Sequence, residues 1–185
     1  MEALFQKNIV IYGKHSQYLK ALVAKPDTEL KSGLFERAVD VLVAASVIGK
    51  IYNRKGEADS TKNVNGEEIK TTMFVEQITT VLPDLLLNYR MIMLLEDKEI
   101  LPVEERVNRA FRYDRDKEKR PKCEKIYMSY VLGGIEVLYE KLIEPSKTVD
   151  DYVMNMYRFV DDFKRRYYKD EVNEEIYNLC KLAAN

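Results

Sequence analysis

The chain has 185 residues, of which 46% are hydrophobic and 33% are charged, and its formal net charge is −1 at pH 7. These values fit one ordered globular domain spanning residues 1–185, and they exclude a disordered chain and a globally basic nucleic-acid binder. Seven Gly and five Pro are few for this length, which favours long helices over many short strands joined by turns.

The first fifty residues predict one short strand or extended arm followed by two helices. The β-branched run at residues 7–12 gives the strand, and GKHSQYLKALVA then has helical spacing until Pro26 ends it. The run from Leu34 to Tyr52 is apolar on nearly every side, so we expect a buried central helix, with Ser32 placed to cap it.

Asp40 is the unusual residue of that central helix, because it lies between Val39 and Val41 with little solvent-facing surface around it. A buried carboxylate must be paired or protonated. We predict a buried ion pair between Asp40 and Arg90, with an arginine near Arg109 as another possible partner. A catalytic acid at Asp40 is the alternative.

The rest of the chain predicts a loop and then further helices. Gly56 to Gly66 is polar and turn-rich, and Pro83 either kinks or starts a helix. Ser146 and Thr148 are candidate caps. The predicted helical segments are Glu67 to Val81, Leu85 to Leu95, one beginning near Pro102, Glu124 to Ile143, one following Thr148, and Glu171 to Ala183. The expected fold is therefore an all-α, bundle-like domain of six to eight helices.

Two adjacent glycines interrupt the helix predicted from Glu124 to Ile143. Gly133 and Gly134 each cost about 1 kcal/mol relative to Ala, so close approach of another helix or of a ligand must compensate. Two explanations of the glycine pair remain. One is a close helix crossing inside the domain, and the other, which is the sharper hypothesis, is a partner interface at Gly133, Gly134 and Glu136.

Two basic segments are candidates for nucleic-acid binding. Arg106 to Lys125 contains nine basic and four acidic residues, a net charge of +5, and Lys164 to Lys169 combines cations with two tyrosines. The alternative is that these basic residues lie on solvent-exposed helix faces and form local ion pairs with the acidic residues between them. The candidate contacts are Arg106, Arg109, Arg112, Arg115, Lys164, Arg165 and Arg166.

No motif in the sequence predicts catalysis, a metal or a cofactor. His15 is the sole histidine, which excludes Cys/His zinc sites and Glu-x-x-His di-iron sites, and we interpret His15-Ser16 as a helix start. A carboxylate magnesium site using Asp40, Asp59 or Asp84 stays open, although nothing fixes the spacing of these residues. Cys123 and Cys180 have no CxxC spacing and are interpreted as reduced thiols.

The segments GKHSQYLKAL, RAFRYD and SYVLGGIEVLYEKL resemble parts of small helical bacterial proteins associated with phage-defence gene clusters. The resemblance covers separated pieces of most of the chain. It implies an accessory or assembly subunit that works beside a larger nuclease or ATPase, and it carries over no catalytic residues.

We therefore expect a non-catalytic helical subunit that binds a protein partner or forms a homo-oligomer. The sequence shows neither a secretory signal nor a membrane span, so we predict a cytoplasmic protein without membrane contact. Nucleic-acid binding is the first alternative. An enzyme that uses Asp40, Asp59 and the arginines on a phosphorylated small molecule is the second.

Overall fold

The computed structural model describes residues 4–24 and 33–167, and the predicted bundle-like, all-α architecture is confirmed there. The seven α-helices are α1 (Gly13–Val23), α2 (Ala38–Ile51), α3 (Val75–Thr80), α4 (Leu82–Leu95), α5 (Val103–Phe111), α6 (Arg120–Leu142) and α7 (Val149–Tyr167). A short 3₁₀ turn, Tyr113–Arg115, lies between α5 and α6. Ser32, Cys180 and the predicted helix from Glu171 to Ala183 lie outside the described residues.

One two-stranded antiparallel sheet joins the start of the chain to its middle. Strand β1 (Ile9–Tyr12) pairs with β2 (Lys70–Met73), with Ile9 opposite Met73 and Tyr12 opposite Lys70. The predicted N-terminal strand is thus confirmed. The prediction that a helix begins at Glu67 is wrong, because residues 70–73 are extended by pairing with β1 and the next helix begins at Val75.

Helices α2 and α6 form the centre of the core and pack more extensively against each other than any other pair. Buried apolar side chains of α2 meet buried tyrosines and aliphatic residues of α6. Helices α1, α4 and α7 cover the outer sides of this pair. The central helix begins at Ala38, four residues after its predicted start, because Arg37 is still extended with φ −136°.

Several helix boundaries have local causes that the sequence contains. Pro83 lies in the first turn of α4, where a missing backbone N–H costs little, so it starts a helix and does not kink one. Thr148 caps α7: its Oγ1 accepts from the backbone N–H of Asp151 at 3.1 Å, and the Asp151 carboxylate accepts from the Thr148 N–H at 3.0 Å. Ser146, the other candidate cap, donates instead to Leu142 O.

Across the described residues, no helix is both long and apolar enough to cross a lipid bilayer.

Candidate functional site

The segment that follows α2 is held against the middle of α6 by its backbone. Asn53, with φ +49°, ends the helix: its N–H donates to Lys50 O at 3.1 Å and the Arg54 N–H donates to Gly49 O at 2.8 Å, the two bonds of a Schellman motif. The Gly56 N–H then donates to Ser129 O of α6 at 2.8 Å. The successive residues Arg54 and Lys55 consequently reach two different buried glutamates.

Glu136 of α6 is the first of these glutamates and is only 6% exposed. One of its carboxylate oxygens accepts from Lys14 Nζ and His15 Nε2, each at 2.9 Å, and the other accepts from Arg54 Nε at 2.9 Å. Burial alone would raise the pKa of Glu136, but the hydrogen bonds from Lys14 and His15 outweigh burial and lower it. The carboxylate therefore stays ionised and joins α1, α6 and the residue-54 segment.

His15 is itself fully buried beside this carboxylate. Burial lowers the pKa of His15, and the hydrogen bond to Glu136 opposes that effect only in part. The neutral ring donates from Nε2 to Glu136, while Nδ1 has no hydrogen-bond partner among the described residues. At neutral pH the imidazole acts as a fixed donor and not as a charged partner.

Glu96, immediately after α4, is the second buried glutamate and is 2% exposed. Its carboxylate accepts from Lys55 Nζ at 2.5 Å, Lys50 Nζ at 2.7 Å and the Tyr130 hydroxyl at 2.6 Å. Burial opposes ionisation, but these three donors outweigh burial and lower the pKa of Glu96 to about 2. The interaction ties the C-terminal ends of α2 and α4 to α6.

Both glutamates have a structural role. Each carboxylate has donors on both oxygens, and a pKa far below neutrality makes a weak general base. The two clusters are best described as clasps that hold the segment after α2 in place. Residues 4–24 and 33–167 contain no group of three or more His, Cys, Asp or Glu side chains that could hold a metal ion.

The hypothesis of a partner interface at Gly133, Gly134 and Glu136 is corrected by the structure. All three residues are buried inside the domain. A Cβ on Gly134 would clash with Ala45 O of α2, and one on Gly133 would clash with Arg54 O. The glycines permit α2 and the segment after it to cross α6 closely, which is the alternative that the sequence left open.

The predicted buried pair of Asp40 and Arg90 is wrong. Asp40 lies in the first turn of α2 with its side chain 29% exposed, and it pairs with Arg37 at 2.7 Å and accepts from the Arg37 backbone N–H. The helix begins later than predicted, so Asp40 is a capping residue near solvent. Arg90 is exposed and lies over the Phe111 ring, 5.3 Å from its centroid.

The proposed phosphate site that combines Asp40 with Asp59 is not assembled. Asp40 lies in the first turn of α2, whereas Asp59 accepts from the backbone N–H of Lys14 near the Glu136 clasp. Arg54, at that clasp, follows the other end of α2, and the helical stretch from Asp40 to Ile51 alone spans about 16 Å. Asp59 instead satisfies the first turn of α1, which lowers its pKa. The exposed Asp84 lies in the first turn of α4.

The four arginines near α5 do not form one solvent-facing surface. Arg106 donates to Leu94 O at 2.6 Å, and Arg109, 20% exposed, pairs with Asp97 and Glu105, so both serve the contact between α4 and α5. Arg112 and Arg115 are exposed, and Arg112 donates to the side chain of Asn108.

The second basic segment lies at the end of α7. Lys164, Arg165 and Arg166 are exposed there, and both arginines pair with aspartates one turn earlier, Asp161 and Asp162. Tyr168 and Lys169 lie outside the described residues.

Exposed apolar side chains collect on two helices, and these are the surface features that the sequence analysis did not identify. On α4 they form what we call the α4 row: Leu87 (59% exposed), Met91 (50%) and Leu95 (46%). On α7 they form the α7 row: Val153 (53% exposed), Tyr157 (68%), Val160 (64%) and Tyr167 (50%). At 100° per residue each row lies within an arc of about 80°.

The α7 row borders an apolar groove between α2 and α7. Ile48, Phe159, Val160, Phe163, Lys164 and Tyr167 line this groove, whose volume is about 560 Å³. The adjacent, inward arc of α7 carries Tyr152, Met156 and Phe163, which pack on the core. The apolar arc of α7 is therefore wider than the part of the helix that packs on the domain. The α7 row is the part of this arc that is exposed to solvent.

Sequence reasoning missed the clasps and the rows for different reasons. Glu136 stands in an apolar run, VLGGIEVL, and this pattern could have indicated a buried carboxylate. Its partners lie 82 and 121 residues away, which no local pattern reveals. The α7 row has helical spacing, but spacing does not tell which part of a wide apolar side is covered.

No protein-family model matches this chain, and comparisons with curated proteins and with solved structures find no significant similarity.

Proposed function

We propose that this chain is a non-catalytic assembly subunit that binds other proteins through apolar helix surfaces. The observation that carries the proposal is the arrangement of exposed apolar side chains in rows on α4 and α7. Single exposed apolar residues are ordinary on protein surfaces, whereas contiguous ones mark interaction sites. Anchors at i, i+4 and i+8 or at i, i+4 and i+7 suit the packing of a partner helix.

The α4 row is the candidate site for a different protein. Leu87, Met91 and Leu95 follow one another along one side of α4, and α5, the helix packed on α4, begins with the exposed Val103. The buried clasps fix the end of α4 through Glu96, so the row is presented on a rigid element. The resemblance to phage-defence proteins suggests a larger nuclease or ATPase as the partner.

Affinity purification of the tagged chain from its source cells tests this proposal. A protein that co-purifies in fixed ratio with the wild type should be lost from Met91→Glu. It should be retained by Glu140→Gln, a control that changes an exposed carboxylate outside both rows. Circular dichroism must show that Met91→Glu is folded. Retention of all partners by folded Met91→Glu would contradict the use of the α4 row.

Nucleic-acid binding is tested on the same samples. Binding through phosphate contacts would weaken steeply with salt. Arg106 and Arg109 are engaged inside the domain, so the assembly proposal predicts that the purified chain alone does not shift single- or double-stranded DNA or RNA at low salt. Affinity that falls with salt and with Arg112→Ala and Arg115→Ala would favour nucleic acid instead.

A further inference from the structure

We infer that the α7 row is the interface of a symmetric homodimer, in which α7 packs antiparallel against α7 of a second copy. This inference rests on the proposed function and names the partner of one of its two surfaces. Three features of α7 support it: the spacing of the row, the equal distance of Val153 and Tyr167 from Val160, and the charge at the two ends of the helix.

The spacing of the row is that of a coiled-coil seam. Val153, Val160 and Tyr167 recur every seventh residue, and Tyr157 and Lys164 each follow four residues after a valine. This is the a/d pattern of a heptad repeat, which keeps one seam facing a partner helix. Residues on the neighbouring arc, Met156 and Phe163, already pack on the core, so the seam is available while α7 stays attached to the domain.

Two members of the row lie symmetrically about a third. Val153 and Tyr167 each lie seven residues from Val160, so an antiparallel pair related by a two-fold axis through Val160 sets Val153 opposite Tyr167 of the second copy. Residue 153 of each copy then meets residue 167 of the other, as an isologous two-fold interface requires. A small side chain thus meets a large one at both ends. In a parallel pair, Tyr167 would meet Tyr167 and Lys164 would meet Lys164.

The charges along α7 favour the same orientation. Asp150 and Asp151 lie in the first turn, and Lys164, Arg165 and Arg166 lie in the last turn, where the two arginines also pair with Asp161 and Asp162 one turn earlier. An antiparallel pair brings the acidic turn of each copy toward the basic turn of the other and opposes the two helix dipoles favourably. A parallel pair would place like charges together at both ends.

Light scattering coupled to size-exclusion chromatography tests the dimer. The wild-type chain should show twice its 21.7 kDa mass at micromolar concentration. Val160→Glu places two carboxylates at the two-fold axis and should raise the dimer dissociation constant at least about 100-fold. Val160→Lys should act in the same direction. Arg158→Glu, on the same helix but about 140° around its axis from Val153 and exposed, should leave the dimer intact.

Disulfide trapping tests the orientation in chains that carry Cys180→Ser, so that the introduced thiol is accompanied only by the buried Cys123. A mixture of Val153→Cys and Tyr167→Cys chains should form a mixed disulfide dimer under mild oxidation. Val153→Cys alone should not form one. Efficient trapping of Val153→Cys alone would overturn the antiparallel arrangement.

The failures of the two proposals are distinguishable. A wild-type monomer at every concentration overturns the dimer, yet the proposed function stands if Met91→Glu still loses a co-purifying protein. A dimer that persists in Val160→Glu and Val160→Lys places self-association elsewhere and also overturns the inference. A dimer lost in both variants, without any other co-purifying protein, supports the inference and removes the role proposed for the α4 row.

Discussion

At the residue scale, two buried glutamates determine how the segment after α2 is placed. Arg54 donates to Glu136, and the next residue, Lys55, donates to Glu96. A buried carboxylate with one partner removed is costly, because the remaining charges stay buried without compensation. The clasps are therefore where single substitutions should affect stability most strongly.

Glu96→Gln should destabilise the domain, because Lys50 and Lys55 lose their buried anion. We expect the free energy of unfolding in urea at pH 7 to fall by about 2 to 3 kcal/mol. Glu140→Gln removes an exposed carboxylate that pairs with Arg54 at 2.6 Å, and should cost below about 1 kcal/mol. Equal losses of unfolding free energy in Glu96→Gln and Glu140→Gln would show that burial does not strengthen the Glu96 clasp.

Glu96 also predicts how stability depends on acid. The pKa of its carboxyl is about 2 in the folded chain and lies near the ordinary value of 4.5 in the unfolded chain. Its contribution is therefore fully present above about pH 4.5 and is lost as the pH falls toward 2. The difference in unfolding free energy between wild type and Glu96→Gln should shrink from pH 5 to pH 2. A difference independent of pH would show that Glu96 is not ionised in the fold.

At the element scale, the crossing of α2 and α6 depends on glycines where each helix approaches the other. Gly49 faces Tyr130 O and Gly134 faces Ala45 O, with no room for a Cβ on either side. The paired glycines offset their own cost in helix propensity by permitting this close approach. The crossing also positions the Schellman motif at Asn53. This motif places Arg54 and Lys55 so that they reach Glu136 and Glu96, respectively.

Gly134→Ala should force α2 and α6 apart, because its methyl group would meet a backbone oxygen that no rotamer change can move. We expect a loss of about 2 to 3 kcal/mol in the free energy of unfolding, measured in urea. Gly66→Ala is the control: its added Cβ meets nothing within 4 Å, although φ +78° strains it by about 1 kcal/mol. A smaller loss for Gly134→Ala than for the control would contradict close crossing.

Helix periodicity predicted the elements well where an apolar side is long, as in α6 and α7. It failed at β2, since Lys70–Met73 has four residues and becomes a strand only by pairing with β1, about sixty residues earlier. It also failed at Asp40, where a shift of four residues in the start of α2 turns a buried position into a cap. The Glu96 clasp was missed because its donors come from two other helices and from the segment after α2.

At the scale of the whole molecule, the described helices form a domain whose buried charges are paired and whose apolar surface is left uncovered on α4 and α7. The carboxylates that could have served catalysis are engaged: Glu96 and Glu136 in clasps, and Asp40 and Asp59 at helix starts. The rows on α4 and α7 contribute little to the core. In the proposed assembly function, the rigid interior holds the apolar rows in place for binding to partner proteins.

The mass of the native particle tests that function most directly. Native mass spectrometry of the tagged chain, purified from its source cells, should give a wild-type particle heavier than two copies of the 21.7 kDa chain. Folded Met91→Glu should give two copies only, and Met91→Glu combined with Val160→Glu should give one. A wild-type particle of one chain, with the same mass in both variants, would contradict the account.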